Sequence, residues 1–368
     1  MSNTAVLDIG KTNAKLVLVS EAGEEVAGRR MPNRVLPGPP YPHFDVEALW
    51  DFAVSSLRDL APQGIGAIVP VTHGACAALV DEDGALALPV LDYEHPGPDA
   101  ARATYAPPPF AETGSPPLPG GLNLGAQLHW LAAAFPDGFA RVRHLLPWPQ
   151  YWAWRLSGAM AAEVTSLGCH TDLWAPHDGA PSSLARARGW DALLPPLRRA
   201  GEVLGPVRPE VAAATGLDPA TPVLCGIHDS NASLLPYLGT RCGVLSTGTW
   251  VIAMALGTDA PALDPSQDML LNVAADGTPV PSARFMGGRR YDEALAAGEP
   301  EEEAAREAAG RSAEVLRAVG AAGPVHVEGP FAANGAFMSA LSDALGAPAR
   351  RGTGAGTTRG AAMLARGG

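Results

Sequence analysis

Charge is scarce in this chain, and positive charge is scarcest. Only 17% of its 368 residues are Asp, Glu, Lys or Arg, and 26 Lys and Arg stand against 38 Asp and Glu, a formal net charge of −12. No long basic stripe is present, which argues against nucleic acid or an anionic membrane as a partner. A phosphorylated ligand would therefore be held by local donors rather than by a global field. Cysteine is rare too: Cys76, Cys169, Cys225 and Cys242 are widely spaced and form no C-x-x-C. They are expected to be buried free thiols in a reducing cytoplasm. There is no run of about 18 apolar residues of the kind that spans a membrane. The opening MSNTAVLDIG has neither the charged nor the apolar region of a signal peptide. The expected location is cytoplasmic.

Apolar residues, by contrast, make up 47% of the chain. Global disorder is excluded at that level, and the length suffices for two domains with cores of their own. The alternation of short apolar runs with helical spacing predicts α/β structure. Strands are expected at 5–9, 16–19, 25–30, 65–71, 223–227 and 325–328. Helices are expected at 44–60, 124–135, 150–156, 231–238, 299–319, 334–345 and 359–365. Residues 77–88 read as a hairpin with a D-G turn. The Pro- and Gly-rich stretch 96–121 reads as an irregular loop. A turn-rich run at 216–222 divides the chain into domains 1–221 and 222–368.

Two short glycine–threonine turns stand out, one near each end, each between two apolar runs. AVLDIGKTNAKLVLVS places Asp8, Gly10, Lys11, Thr12, Asn13 and Lys15 around the first. GVLSTGTWVIAMAL places Ser246, Thr247, Gly248 and Thr249 in the second. Each reads as strand–turn–strand. Glycine tolerates the tight backbone and leaves N–H groups and hydroxyls open to an anion. One such turn per lobe suggests a polyphosphate held between two related lobes, with ATP the first ligand to consider. Neither turn opens a helix through G-x-G-x-x-G, so a Rossmann domain is not expected.

Asp8 ends an apolar strand directly before the first turn. A carboxylate there needs solvent or a cation, which suggests Mg²⁺ beside the phosphates; a simple hairpin cap is the alternative. Asp229 follows a second strand end, in Gly226-Ile227-His228-Asp229-Ser230-Asn231. It reads either as a helix N-cap or as a general base taking the proton of a substrate hydroxyl, the acceptor that phosphoryl transfer requires. His228 beside it could hydrogen-bond that substrate.

In order and spacing these segments resemble the FGGY family of carbohydrate kinases. LDIGKTNAK is similar to the family's first phosphate loop and LSTGTW to its second. EVLGPVRPEVAAATGLDPATPVLCGIHDSNASL is similar to the segment leading to its catalytic aspartate. VTHGACAALVDEDGALALPVLDYEH resembles a sugar-binding segment, and HLLPWPQYWAWRLSGAMAAEVTSLGCHTDLW the stretch between the sugar contacts of the two lobes. VHVEGPFAANGAFMSALSDALGAP resembles the adenosine-side motif and GTTRGAAMLA the closing helix.

The resemblance implies an α/β fold of two actin-like, ribonuclease-H-like ATPase domains around a central cleft. It implies ATP and Mg²⁺ as cofactors, with Asp8 at the metal and Asp229 as base. Gly10, Lys11, Thr12, Asn13, Lys15, Ser246, Thr247, Gly248 and Thr249 would serve the phosphates, and Gly329 and Asn334 the adenosine. His73, Gly74, Glu94, His95, Thr165 and His228 would line the sugar. The implied substrate is a ketose resembling fuculose, rhamnulose or xylulose, phosphorylated on a primary hydroxyl. A polyol kinase, a same-fold phosphohydrolase and a nucleotide-binding regulator without catalysis are the alternatives, and a homodimer is left open. The chain departs from the family in its shortened 250–325 region. Lys11 also stands where a small or hydroxyl residue is usual.

Overall fold

The computed structural model describes residues 2–259, 261–354 and 356–366. Two sheets carry the architecture. In the first, β1 (Asn3–Ile9), β2 (Asn13–Val19) and β3 (Glu25–Pro32) form an antiparallel meander, and β4 (Ile65–Thr72) runs parallel to β1. β5 (Val203–Pro206) pairs antiparallel with β6 (Pro222–Leu224), while β6 and β7 (Ile227–His228) both run parallel to β4. In the second, β8 (Cys242–Thr247) and β9 (Val251–Leu256) form the hairpin of the second turn. β10 (Met269–Val273) and β11 (Pro279–Phe285) extend it antiparallel from β9. β12 (Val325–Glu328) and β13 (Ala349–Arg351) extend it parallel on the β8 side.

The helices that matter for the site are α1 (Val46–Leu60), α2 (Val164–Leu167), α3 (Asp229–Ala232) and α4 (Gly287–Ala296), then α5 (Glu301–Ala318), α6 (Gly335–Leu345) and α7 (Gly356–Met363).

Both sheets thus have a hairpin at the centre, a third antiparallel strand on one side and parallel strands on the other. That is the twofold ribonuclease-H-like arrangement expected from the resemblance. Strand periodicity explains why β1 is buried along nearly its whole length. Ala5, Leu7 and Ile9 share a core with Leu49, Ala53 and Leu57 of α1, whereas Val6 packs with Ala361 and Ala362 of α7 on the other face. In the second sheet Leu245, Val251 and Ala253 pack under Ala305, Ala309, Ala313 and Leu316 of α5 and Phe337 and Leu341 of α6.

Three features differ from the sequence reading. The strand expected to open the second domain is β6 and β7, and both belong to the first sheet. The closing helix α7 returns to the first sheet as well. The helix expected over 231–238 stops at Ala232 and resumes as a short 3-10 turn, Leu235–Tyr237. Pro236 has no N–H to continue an α-helical ladder and sits comfortably only in a first turn. All four cysteines are buried and free, as expected. No helix among the described residues is long and apolar enough to cross a membrane.

Candidate active site

The two acids picked out from the sequence lie at neighbouring strand ends. Asp8 of β1 and Ile227 of β7 both pair with Val71 of β4, one from each side. Asp229 follows β7 at the start of α3. Two strand spacings, about 10 Å, separate the two lines of backbone. Carboxyl ends of parallel strands are where open α/β sheets present ligand sites.

Asp8 is buried, and Lys15 Nζ lies 3.0 Å from its Oδ2. Burial pushes its carboxyl up to about 6, against the pull of Lys15 and with added repulsion from Asp229. The turn above it is closed by Gly10 N–H donating to Asn13 O at 2.9 Å. Asn33 clamps it from the end of β3, its backbone N–H donating to Thr12 O and its amide to Gly10 O, each at 2.9 Å. Thr12 and Asn13 are left exposed.

Asp229 is held by one oxygen. Its Oδ1 accepts from the Ser230 backbone at 2.6 Å and the Ser230 hydroxyl at 3.3 Å, and His228 Nε2 is 3.3 Å away. Among the described residues nothing bonds Oδ2, and the side chain is 30% exposed. The His228 ring is oriented by Asn231, whose Oδ1 is 2.7 Å from Nδ1 and whose amide donates to Val273 O in β10. Burial alone would strip this ring of its proton, but the Cys169 sulfur and the Asp229 carboxylate outweigh it and push the ring up to about 10. Gly74 makes the close packing possible, because a Cβ there would sit 2.8 Å from His228 Nε2.

Thr165 is fully buried. Its hydroxyl donates to Glu163 Oε2 at 2.5 Å and accepts the His228 backbone N–H at 3.1 Å. It ties the loop before Asp229 to α2. Glu163 in turn caps α2, accepting from the backbones of Thr165 and Ser166, and burial pushes its carboxyl up to about 7.

Lys11 reaches out of the turn. Its ammonium pairs with Asp92 and, at 3.3 Å, with Glu94. His73 is buried close by, and its Nδ1 donates to Gly74 O at 2.8 Å. His95 packs on the Trp130 ring, centroids 5.2 Å apart.

In the second turn Gly248 and Thr249 are exposed and Ser246 is half-buried, while Thr247 is buried. The Thr247 hydroxyl donates to Glu328 O at 2.5 Å and accepts Phe331 N–H at 3.1 Å, so it fastens the Gly329 turn. Gly329 has φ +86°, and a Cβ there would collide with the Thr247 carbonyl oxygen. Asn334 caps α6 by accepting Phe337 N–H at 2.9 Å, and its amide donates to Tyr291 at 2.8 Å. The two turns are joined by one stretch of chain. Thr353 N–H donates to Glu328 Oε1 at 2.9 Å beside the second turn. The Thr357 hydroxyl donates to Asp229 O at 3.4 Å, and Thr358 accepts from Lys15 at 3.3 Å.

A profile described as the FGGY family of carbohydrate kinases, N-terminal domain, matches residues 113–236. One for the carbohydrate kinase FGGY C-terminal domain matches residues 239–315 and 308–368. The crystal structure of a carbohydrate kinase from Novosphingobium aromaticivorans superposes with a TM-score of 0.90 at 36% identity, over 99% of this chain and 91% of that one. This chain belongs to the FGGY family of carbohydrate kinases. The L-fuculokinase of Haemophilus influenzae is 27% identical over 275 residues, 69% of this chain and 58% of that protein. The autoinducer-2 kinase of Escherichia coli K12 is 25% identical over 292 residues, 72% of this chain and 53% of that protein. The chain spans little more than half the length of these two relatives.

Several site residues of this FGGY protein escaped the sequence reading. Asn33, Glu163, Asn231 and Glu328 all act through bonds to partners fixed by the fold. Glu163, Asn231 and Glu328 lie within segments already marked, and Asn33 lies outside them. A cavity of about 1180 Å³ is lined by neither Asp8 nor Asp229. It is lined by Val164, Trp174, Leu197, Leu235 and Met363 among others, and its Arg198 is paired with Glu202 at 3.2 Å. Asp8 and Asp229 lie instead at the strand ends.

Proposed function

We propose that this protein transfers the γ-phosphoryl group of ATP to a primary hydroxyl of a small sugar, a ketose of the fuculose, rhamnulose or xylulose kind. The observation that carries the reading is the Asp229 carboxylate, anchored through Oδ1 and open at Oδ2, at a strand end shared with Asp8. A binding module without catalysis has no use for a fixed, half-open carboxylate at this point.

In the proposed reaction Asp229 Oδ2 accepts the proton of the attacking hydroxyl as the oxygen bonds to phosphorus and the bond to the leaving ADP oxygen breaks. His228, protonated between Asp229 and Cys169, adds fixed positive charge beside the transfer. Exposed donors at Thr12, Asn13, Gly248 and Thr249 suit phosphate oxygens. Thr247 and Gly329 hold the shape of the second turn.

Mg²⁺ binds through one or two carboxylates together with phosphates and water rather than in an all-protein cage. No group of three His, Cys, Asp or Glu is gathered for a metal among the described residues. The buried Asp8, within electrostatic reach of Asp229, is a site of that sparse kind. Asp8 would hold the ion, which would neutralise charge on the phosphates. We also place the change of lobe between His228 and Cys242, since sheet membership switches there.

A coupled ADP-release screen over ketoses, aldoses, polyols and sugar acids tests this reading. ADP release that depends on a neutral sugar supports it. ADP release indifferent to every sugar indicates a hydrolase, and none at all a regulator.

A further inference from the structure

Lys11 and Lys15 flank the same turn but serve different neighbourhoods. Lys15 pairs with Asp8. Lys11 reaches residues more than eighty positions along the chain, where Asp92 and Glu94 bracket its ammonium. The ammonium also lies 5.2 Å from the Phe44 ring centre and 5.0 Å from that of Tyr93. The same two rings flank His73, at 5.2 and 5.4 Å. A carbonyl can only accept, so the 2.8 Å contact from His73 Nδ1 to Gly74 O puts the ring proton on Nδ1. Burial keeps the ring neutral. Nε2 is then a bare lone pair, and it is buried without a partner among the described residues.

We infer that Lys11, Asp92 and Glu94 form the specificity-determining wall of the substrate pocket, and that with His73 Nε2 they select a neutral substrate carrying adjacent hydroxyls and reject sugar acids. This rests on the kinase reading above. The donor and acceptor inventory carries the argument. His73 Nε2 and the two carboxylates only accept, and Lys11 only donates. A hydroxyl does both, so a pair of neighbouring hydroxyls can satisfy this mixed set. A sugar carboxylate offers acceptors alone and meets two carboxylates, while the Lys11 ammonium is already bracketed by them. A substrate lacking the hydroxyls leaves buried polar groups unpaired, the circumstance that gives the strongest discrimination. In this arrangement Lys11 departs from the phosphate role its position in the turn suggests.

The test compares the full chain with Lys11→Met and Glu94→Gln, using steady-state kinetics and the thermal shift produced by sugar without nucleotide. Lys11→Met is expected to raise the sugar KM about tenfold or more while leaving the ATP KM within about twofold, and to abolish the sugar-induced thermal shift. Glu94 is 66% exposed, so Glu94→Gln leaves the fold intact even if Lys11→Met, which strands a buried Asp92, does not fold. It is expected to raise the neutral-sugar KM several-fold and to narrow the preference for a ketose over the matching aldonic acid about tenfold. A raised ATP KM with an unchanged sugar KM in Lys11→Met overturns the inference. So does a Glu94→Gln protein with wild-type sugar KM and wild-type acid rejection. Either result, obtained with an active parent, leaves the kinase reading standing. A parent protein that no sugar stabilises and none turns over removes both.

Discussion

The first glycine turn sits among charges, and the second has none of its own. Asp8, Lys11 and Lys15 lie on or beside the first turn and form ion pairs within the first lobe. Ser246, Thr247, Gly248 and Thr249 offer only hydroxyls and backbone, and the one buried hydroxyl, that of Thr247, is spent on the Gly329 turn. Similar hairpins on similar sheets have thus been put to different uses. In the proposed reaction the first turn would hold the cation through Asp8, with Asp229 at a neighbouring strand end as the base. The second is a shaped backbone cradle whose side chains hold its form. Equivalent substitutions in the two turns should therefore fail in different ways.

The largest effect is expected beside the charged turn. Asp229→Asn keeps size and local bonding but removes the acceptor, and should lower kcat about 10²–10⁴-fold with nucleotide affinity nearly unchanged. Full activity in the folded variant would take Asp229 out of the mechanism.

Next come the glycines, which set shape against chemistry. Gly329→Ala forces a side chain into the Thr247 carbonyl at positive φ, and should destabilise the protein by about 2–4 kcal/mol in urea unfolding. In Gly10→Ala the new Cβ meets only Asn13 O, at 3.2 Å, and should cost about 1 kcal/mol or less. Equal losses would erase the distinction between the turns.

Asp8→Ala should raise the Mg²⁺ concentration needed for half-maximal rate about tenfold or more, without altering sugar affinity. A loss of sugar affinity alone would move Asp8 off the phosphate side.

The smallest effect is a pH dependence. Asp8 and Glu163 have folded-state values near 6 and 7, above those of an unfolded chain. Their stabilising contributions are therefore complete below about pH 4 and are lost as pH rises through 6 and 7. Metal use by Asp8 runs the other way and should fade as pH falls below about 6. Glu163→Gln should flatten the stability loss between pH 5 and 8 in thermal unfolding. An unchanged profile would mean that Glu163 is ionised throughout.

Much of this was legible in the sequence because it is local. The hairpins around both turns, Asp8 at a strand end, and Asp229 following a strand all depend on neighbours a few residues away. What stayed hidden depends on contacts distant in the chain. Lys11 reads as a phosphate contact until Asp92 and Glu94 are folded against it. Thr165 reads as a sugar contact until Glu163 and the His228 backbone take its hydroxyl. Asn334 reads as adenosine-binding until its capping bond to Phe337 and its bond to Tyr291 account for the amide. The turn-rich run at 216–222 resembles a linker, yet β6 and β7 beyond it complete the first sheet. Nothing local to α7 shows that its Ala361 and Ala362 return to Val6.

The most direct test of the whole account is sugar-dependent ADP release by the wild-type protein, followed by assignment of the phosphorylated carbon by phosphorus–proton NMR. The expected result is strong stimulation by a five- or six-carbon ketose, weak stimulation by glycerol, and phosphate on the primary hydroxyl. Glycerol turned over as efficiently as the best ketose, or phosphate on a ring hydroxyl, would contradict it.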